Sequence, residues 1–182
     1  MSRILFLFVL LINSSLFGQQ VFKKKKSLLG SPFEISVVAN DSVQAGIYIE
    51  LALSEVKRIE NLISDWIPTT QISQVNQKAG IAPVKVDKEV FNLVERAIRI
   101  SKLTDGAFDI SYASMDKIWK FDGSMKAMPT EESIKKSVEK VGYQNIILNE
   151  SETTIFLKNQ GMKLGLGGIG QGYIADKIKE LL

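Results

Sequence analysis

The stretch Lys163–Asp176, KLGLGGIGQGYIAD, packs five of the chain's thirteen glycines into eight residues. An apolar, strand-like lead over Met162–Leu166 runs into backbone that must bend tightly or approach something closely, and a helical pattern follows over Gln171–Leu182. A strand feeding a helix through such a turn aims free amide groups and the positive end of the helix dipole at one point, where a phosphate or pyrophosphate is held well. Three readings of these glycines compete. Gly165, Gly167 and Gly170 match the dinucleotide fingerprint G-x-G-x-x-G, but the acidic residue that this fingerprint wants about 20 positions further on is missing. Close packing of a strand against a helix needs no ligand at all. A phosphate or metal site of another kind is the third.

Working outward, the preceding segments alternate in character. Ile146–Leu148, a polar turn, and Thr153–Leu157 read as a hairpin, and Asn159-Gln160-Gly161 turns into the glycine segment. Pro129-Thr130 opens a helix with Ile134, Val138 and Val141 inward and Gly142 as its stop. Tyr112–Met128 is irregular, with Trp119 and Phe121 of WKFDG as core anchors.

Before it lies TDGAFDIS, Thr104–Ser111. Asp105 and Asp109 flank Gly106 there, either as a helix stop whose side chains bind local backbone or as a rigid loop offering acceptors to a ligand or cation. A helix capped by Asp87 carries Val90, Leu93, Val94, Ala97 and Ile98 on one face, after a short strand at Val84–Val86. SDWIPTTQIS, Ser64–Ser73, is a loop whose Trp66 is either a lid over the core or a stacking platform for a ring. Tyr48, Ala52, Val56, Ile59 and Ile63 repeat at helical spacing over Ser42–Ile63, behind an Asp41/Gln44 capping pattern. Phe33, Ile35 and Val37 alternate as a half-buried strand after the turn-like Leu28-Leu29-Gly30-Ser31-Pro32.

The chain of 182 residues is 45% apolar and 24% charged, which suits one ordinary α+β domain with a mostly antiparallel sheet. Its net charge of +3, much of it in Lys23–Lys26, does not ask for a nucleic-acid partner. Met1–Gln19 reads as a secretory signal: Arg3, then the apolar run Ile4–Ile12, then small residues before a cut at Gln19 or Gln20. A short uncleaved anchor and a buried strand are the alternatives there. Residues 20–27 then form a solvated basic tether, and 28–182 the domain. With no cysteine there is neither a disulfide nor a lipid-modified cysteine, so any membrane association is loose. With no histidine, a metal must be taken by oxygen atoms.

In order and approximate separation, SDWIPTTQIS, TDGAFDIS with WKFDG, and LGGIGQGYIAD resemble the motifs of the ApbE-like flavin transferases, over roughly Leu28 to the last residue. The resemblance implies an exported, magnesium-dependent enzyme that cleaves FAD at its pyrophosphate. It joins the FMN half to a Ser or Thr hydroxyl of an acceptor redox protein and releases AMP. It further implies FAD contacts at Leu29, Trp66, Ala107, Phe108, Asp109, Gly165 and Gln171, and an oxygen of Gly168 in the Mg2+ shell. Gly165 stands where the family has Asp, and Gln171 where it has Lys. The family's His-bearing segment and remaining metal ligands have no counterpart in these residues, so the resemblance extends to an amino-terminal part of the enzyme and this stretch is expected to have little activity alone. A non-catalytic FAD-binding module and a Rossmann-type oxidoreductase are the rival functions.

Overall fold

The structure is a computed structural model that describes residues 18–120 and 122–182. The signal reading of Met1–Gln19 and the anchor reading of Phe121 therefore fall outside, or almost outside, the described residues. Where one α+β unit was expected, the chain forms two compact units: the described residues to Lys57 with Asp176–Leu182, and Arg58–Ala175.

In the first unit, strand β1 (Gln20–Leu28) pairs antiparallel with β2 (Ser31–Ala39) along nine residue pairs, from Gln20 opposite Ala39 to Leu28 opposite Ser31. The tether expected at 20–27 is thus a strand. Its lysines do not prevent this, because three of the four find an anion: Lys23 and Lys25 reach Glu34 at 2.9 and 3.4 Å, and Lys24 pairs with Glu50. Leu29 and Gly30 close the hairpin with φ of 53° and 69°. A two-residue turn with both φ positive matches the twist of the strands it joins. Helix α1 (Ser42–Ile63) begins where expected. Asp41 accepts from the amides of Val43 and Gln44 at 2.8 and 2.9 Å, while Gln44 reaches back to the Asn40 amide at 3.3 Å. Its Ala45, Ile49 and Leu53 close with Val37 and Ala39 into the unit's core.

The second unit holds a three-stranded antiparallel sheet ordered β3 (Val84–Lys85), β5 (Thr154–Leu157), β4 (Ile146–Asn149). The β4–β5 hairpin agrees with the sequence reading. Helix α2 (Gln71–Gln77) was not foreseen; Thr70 caps it by accepting from the Ser73 amide at 3.1 Å, so the loop ends earlier than its hydroxyl-rich composition suggests. Helix α3 (Lys88–Leu103) buries Val90, Phe91, Leu93, Val94, Ala97 and Ile98. Burial of a side chain the size of Phe91 stabilises by about 2–3 kcal/mol. Asp87 sits at its cap position without capping it; its carboxylate accepts from the Gln71 amide nitrogen at 2.6 Å. Helix α4 is shorter than expected, Glu131–Ser137, and Val138, predicted inward, is 41% exposed because the helix has already ended.

Helix α5 (Gly167–Leu181) starts four residues before the expected position, so most of the glycines lie inside it rather than in a turn. The lead Met162–Leu166 is extended but belongs to no sheet. Side chains do what a partner strand would have done. Asn76 accepts from the Leu164 amide at 2.7 Å and donates to its carbonyl at 3.0 Å. Ser114 does the same for Lys163, at 2.7 and 3.1 Å. The Gly165 amide donates to the Ile110 carbonyl at 2.8 Å. All strand pairs among the described residues are antiparallel, so the βαβ context that a dinucleotide fingerprint requires is not what surrounds these glycines.

Candidate functional site

Helix α3 ends because Asp105 and Gly106 adopt φ of 49° and 82°. The Gly106 amide returns to the Ser101 carbonyl at 2.8 Å, the closing bond of a left-handed helix stop. The chain then reverses, and Thr104 fixes the reversal by accepting from the Phe108 amide at 3.1 Å. Asp109 follows. One oxygen takes both the amide and the hydroxyl of Ser111, at 2.8 and 2.7 Å, and the other takes the Tyr143 amide at 2.8 Å. Ser111 in turn accepts from the Gly142 amide at 2.7 Å. Asp109 therefore anchors the loop to the Gly142–Tyr143 corner and caps the short 3-10 helix Ile110–Ser114. A carboxylate accepting three such bonds holds this loop rigid.

That rigid loop meets the glycine segment. A Cβ built on Gly165 would lie 3.0 Å from the Ala113 Cβ and 3.1 Å from the Tyr112 hydroxyl; one on Gly168 would lie 3.2 Å from the Phe108 ring. Gly170 approaches the Ile63 side chain equally closely, at 3.1 Å. Three of the five glycines, Gly165, Gly168 and Gly170, thus stand where a side chain lacks room, as close packing of the segment requires, whereas Gly172 has open space around it.

Beside this junction opens a cavity of about 720 Å³, lined by Trp66, Tyr112 and Trp119 together with Asp65, Lys117 and Lys163. Trp66 is 77% exposed. An indole so bare is no lid over the core; it is a wall of the cavity, with the Lys117 ammonium 4.8 Å from its ring centroid. Burial first, and then the Asp65 carboxylate, push the Tyr112 phenol above its usual range. The arrangement offers aromatic faces to a flat ring and two ammonium groups to an anion.

Of the residues expected to form a site, Trp66 lines the cavity. Phe108 and Asp109 are half-buried and Ala107 exposed in the adjoining loop. Gly165 is buried beneath Tyr112, while Gly168 and Gln171 are exposed on α5. Leu29 belongs to the first unit, in its hairpin turn. Tyr112, Lys117 and Lys163 were missed, for no periodicity marks them, and Trp119, expected as a core anchor, is instead a half-buried part of the cavity wall. The magnesium expectation meets a donor set that does not fit: Gly168 offers one main-chain oxygen, and no three acidic side chains gather among the described residues. Near-octahedral coordination asks for more.

On an antiparallel α+β scaffold the cavity thus combines aromatic faces with two lysines, and comparison with known proteins gives the family. The family model described as "ApbE family" matches residues 29–182, and the chain belongs to that family. A FAD:protein FMN transferase of Klebsiella pneumoniae (strain 342) is 30% identical over 163 residues, covering 90% of this chain and 50% of that protein. One of Treponema pallidum (strain Nichols) is 29% identical over 143 residues, 74% and 40%. Among solved structures, the ApbE protein of Thermotoga maritima matches with a TM-score of 0.76 at 26% identity, over 88% of this chain and 52% of that one. The flavin transferase ApbE of Vibrio cholerae matches with 0.76 at 18%, over 91% and 54%, which speaks to fold alone. The chain thus spans about half the length of the curated relatives it matches.

Proposed function

We propose that this chain contributes the flavin-dinucleotide-binding part of an FAD:protein FMN transferase. In that reaction a Ser or Thr hydroxyl of an acceptor redox protein attacks the phosphorus of the FMN half. A new phosphoester forms, the pyrophosphate bond breaks, and AMP leaves. The observation that carries the reading is the cavity, where three aromatic rings and two lysines stand against the glycine segment of an ApbE-family chain. Rings suit the isoalloxazine or adenine, and ammonium groups suit the pyrophosphate. Trp66 is the stacking surface in this reading. Phe108 and Ala107 border the ligand, with Gln171 a polar contact. Asp109 acts by holding the loop, and Leu29 and Gly165 remain contacts suggested by the family motif.

Magnesium belongs to the proposed reaction, yet the residues present do not form a shell for it. The expected behaviour of the 182-residue chain is therefore FAD binding with little or no FMN transfer. Titration with FAD, followed by incubation with a threonine-bearing acceptor and Mg2+, tests both halves. Absence of FAD binding refutes the cavity reading; brisk transfer refutes the claim that further ligands are needed. Trp66→Ala should weaken binding about tenfold, the scale of one lost stacking contact. A second reading, an FAD-binding module without catalysis, is favoured by that same donor set. Binding indifferent to Mg2+, in a protein that never releases AMP even when supplemented with the rest of a relative, would select it.

Export is part of the proposal. Cleavage before Gln19 or Gln20 would leave β1, which starts at Gln20, whole. No helix among the described residues is long and apolar enough to cross a membrane. Amino-terminal sequencing of the protein recovered from outside the cytoplasm tests the cut.

A further inference from the structure

Tyr112 and residue 165 compete for one space. Any side chain at 165 would have to leave the backbone through the position of the Tyr112 hydroxyl and ring edge, 3.1 and 3.2 Å from the Cβ it would carry. Both backbones are pinned, so it is the ring that would have to give, by a few tenths of an ångström. Gly165 is tied to the Ile110 carbonyl, and its neighbours Leu164 and Lys163 are held by Asn76 and Ser114. Tyr112 stands on the 3-10 turn that Asp109 caps, its amide bonded to the Asp109 carbonyl at 3.2 Å and its carbonyl to the Met115 amide at 2.9 Å. The ring of this cavity-lining residue is thereby laid across bare glycine backbone, with its hydroxyl 3.5 Å from where a Gly167 Cβ would be. The Tyr112 hydroxyl has no hydrogen-bond partner among the described residues, and the side chain is 48% exposed.

A half-exposed phenol that lines the cavity and bonds no protein group can exchange its water for a ligand without breaking a bond within the protein. Resting on the proposal that the cavity takes FAD, we infer that Tyr112 is a ligand-contacting residue and that Gly165, having no side chain, is what lets its hydroxyl reach the ligand. The phenol is both donor and acceptor, so it serves a ribose hydroxyl, a ring carbonyl or a phosphate oxygen alike. Its raised pKa keeps it neutral well above pH 7, so it brings no negative charge to the pyrophosphate.

The test is FAD titration of the full chain and of Tyr112→Phe, Gly165→Ala and their combination, with melting temperature recorded for each. Tyr112→Phe keeps the ring and removes only the oxygen. It should weaken FAD binding about fivefold, the scale of one neutral hydrogen bond, at an unchanged melting temperature. Gly165→Ala should weaken it as well by displacing the ring, and adding Tyr112→Phe to it should cost little more. Equal FAD affinity of the parent and Tyr112→Phe, or full additivity of the two changes, overturns the inference while leaving the cavity reading standing. A parent that binds no FAD overturns both.

Discussion

Gly30 and Gly165 are the same residue meeting opposite demands. Gly30, in the β1–β2 turn, has open space around it and a φ of 69°. Gly165 has no positive φ, but the space a Cβ needs is taken by Ala113 and Tyr112. The first glycine is chosen for its backbone, the second for its lack of volume. A glycine in a sequence announces one of these without saying which, and only the second kind marks a place where two segments of a site are pressed together.

The comparison can be broken first through the side chain that holds the crowded segment in place. Asn76→Ala leaves the buried Leu164 amide and carbonyl unpaired, and should destabilise by about 3 kcal/mol in urea unfolding. If it costs less than about 1 kcal/mol, the lead to α5 is held by something other than Asn76. Gly165→Ala comes next, at about 1.5 kcal/mol of overpacking. Gly165→Asn should be worse still. Gly30→Ala should cost about 1 kcal/mol of left-handed strain, but Gly30→Asn much less, since Asn tolerates that conformation. Equal responses to Asn at both positions would erase the distinction. The smallest effect concerns the same hairpin's charges. Lys23, by hydrogen bond and by its charge, and then Lys25, hold the Glu34 carboxyl below its ordinary value of 4.5. A depressed folded-state pKa gives stability that is present above about pH 4.5 and is lost as pH falls through the lower folded value. Glu34→Gln should flatten that acid-side slope slightly, and salt should do the same, because the pair is solvent-exposed.

Much of this fold was legible because its helices carry clean 3.6-residue stripes and its hairpin a polar turn: α1, α3 and the β4–β5 pair fall where the pattern puts them. The misreadings share a cause, which is that side chains far apart in sequence decide the matter. Met162–Leu166 has a strand's composition, but Asn76 and Ser114, 88 and 49 residues away, take its backbone groups. Lys23–Lys26 reads as tether until Glu34 and Glu50 are brought opposite. In the site, the composition of SDWIPTTQIS left Trp66 open between lid and platform, and exposure decided for the cavity. Tyr112 had no local signal, because its importance comes from what residue 165 lacks.

Trp66 and Trp119 are the chain's two tryptophans, and both face the same cavity. All indole emission from this polypeptide therefore originates within a few ångströms of one chamber, and an absorbing guest there should dim it in proportion to occupancy. The molecule carries its own optical gauge, readable without label or acceptor.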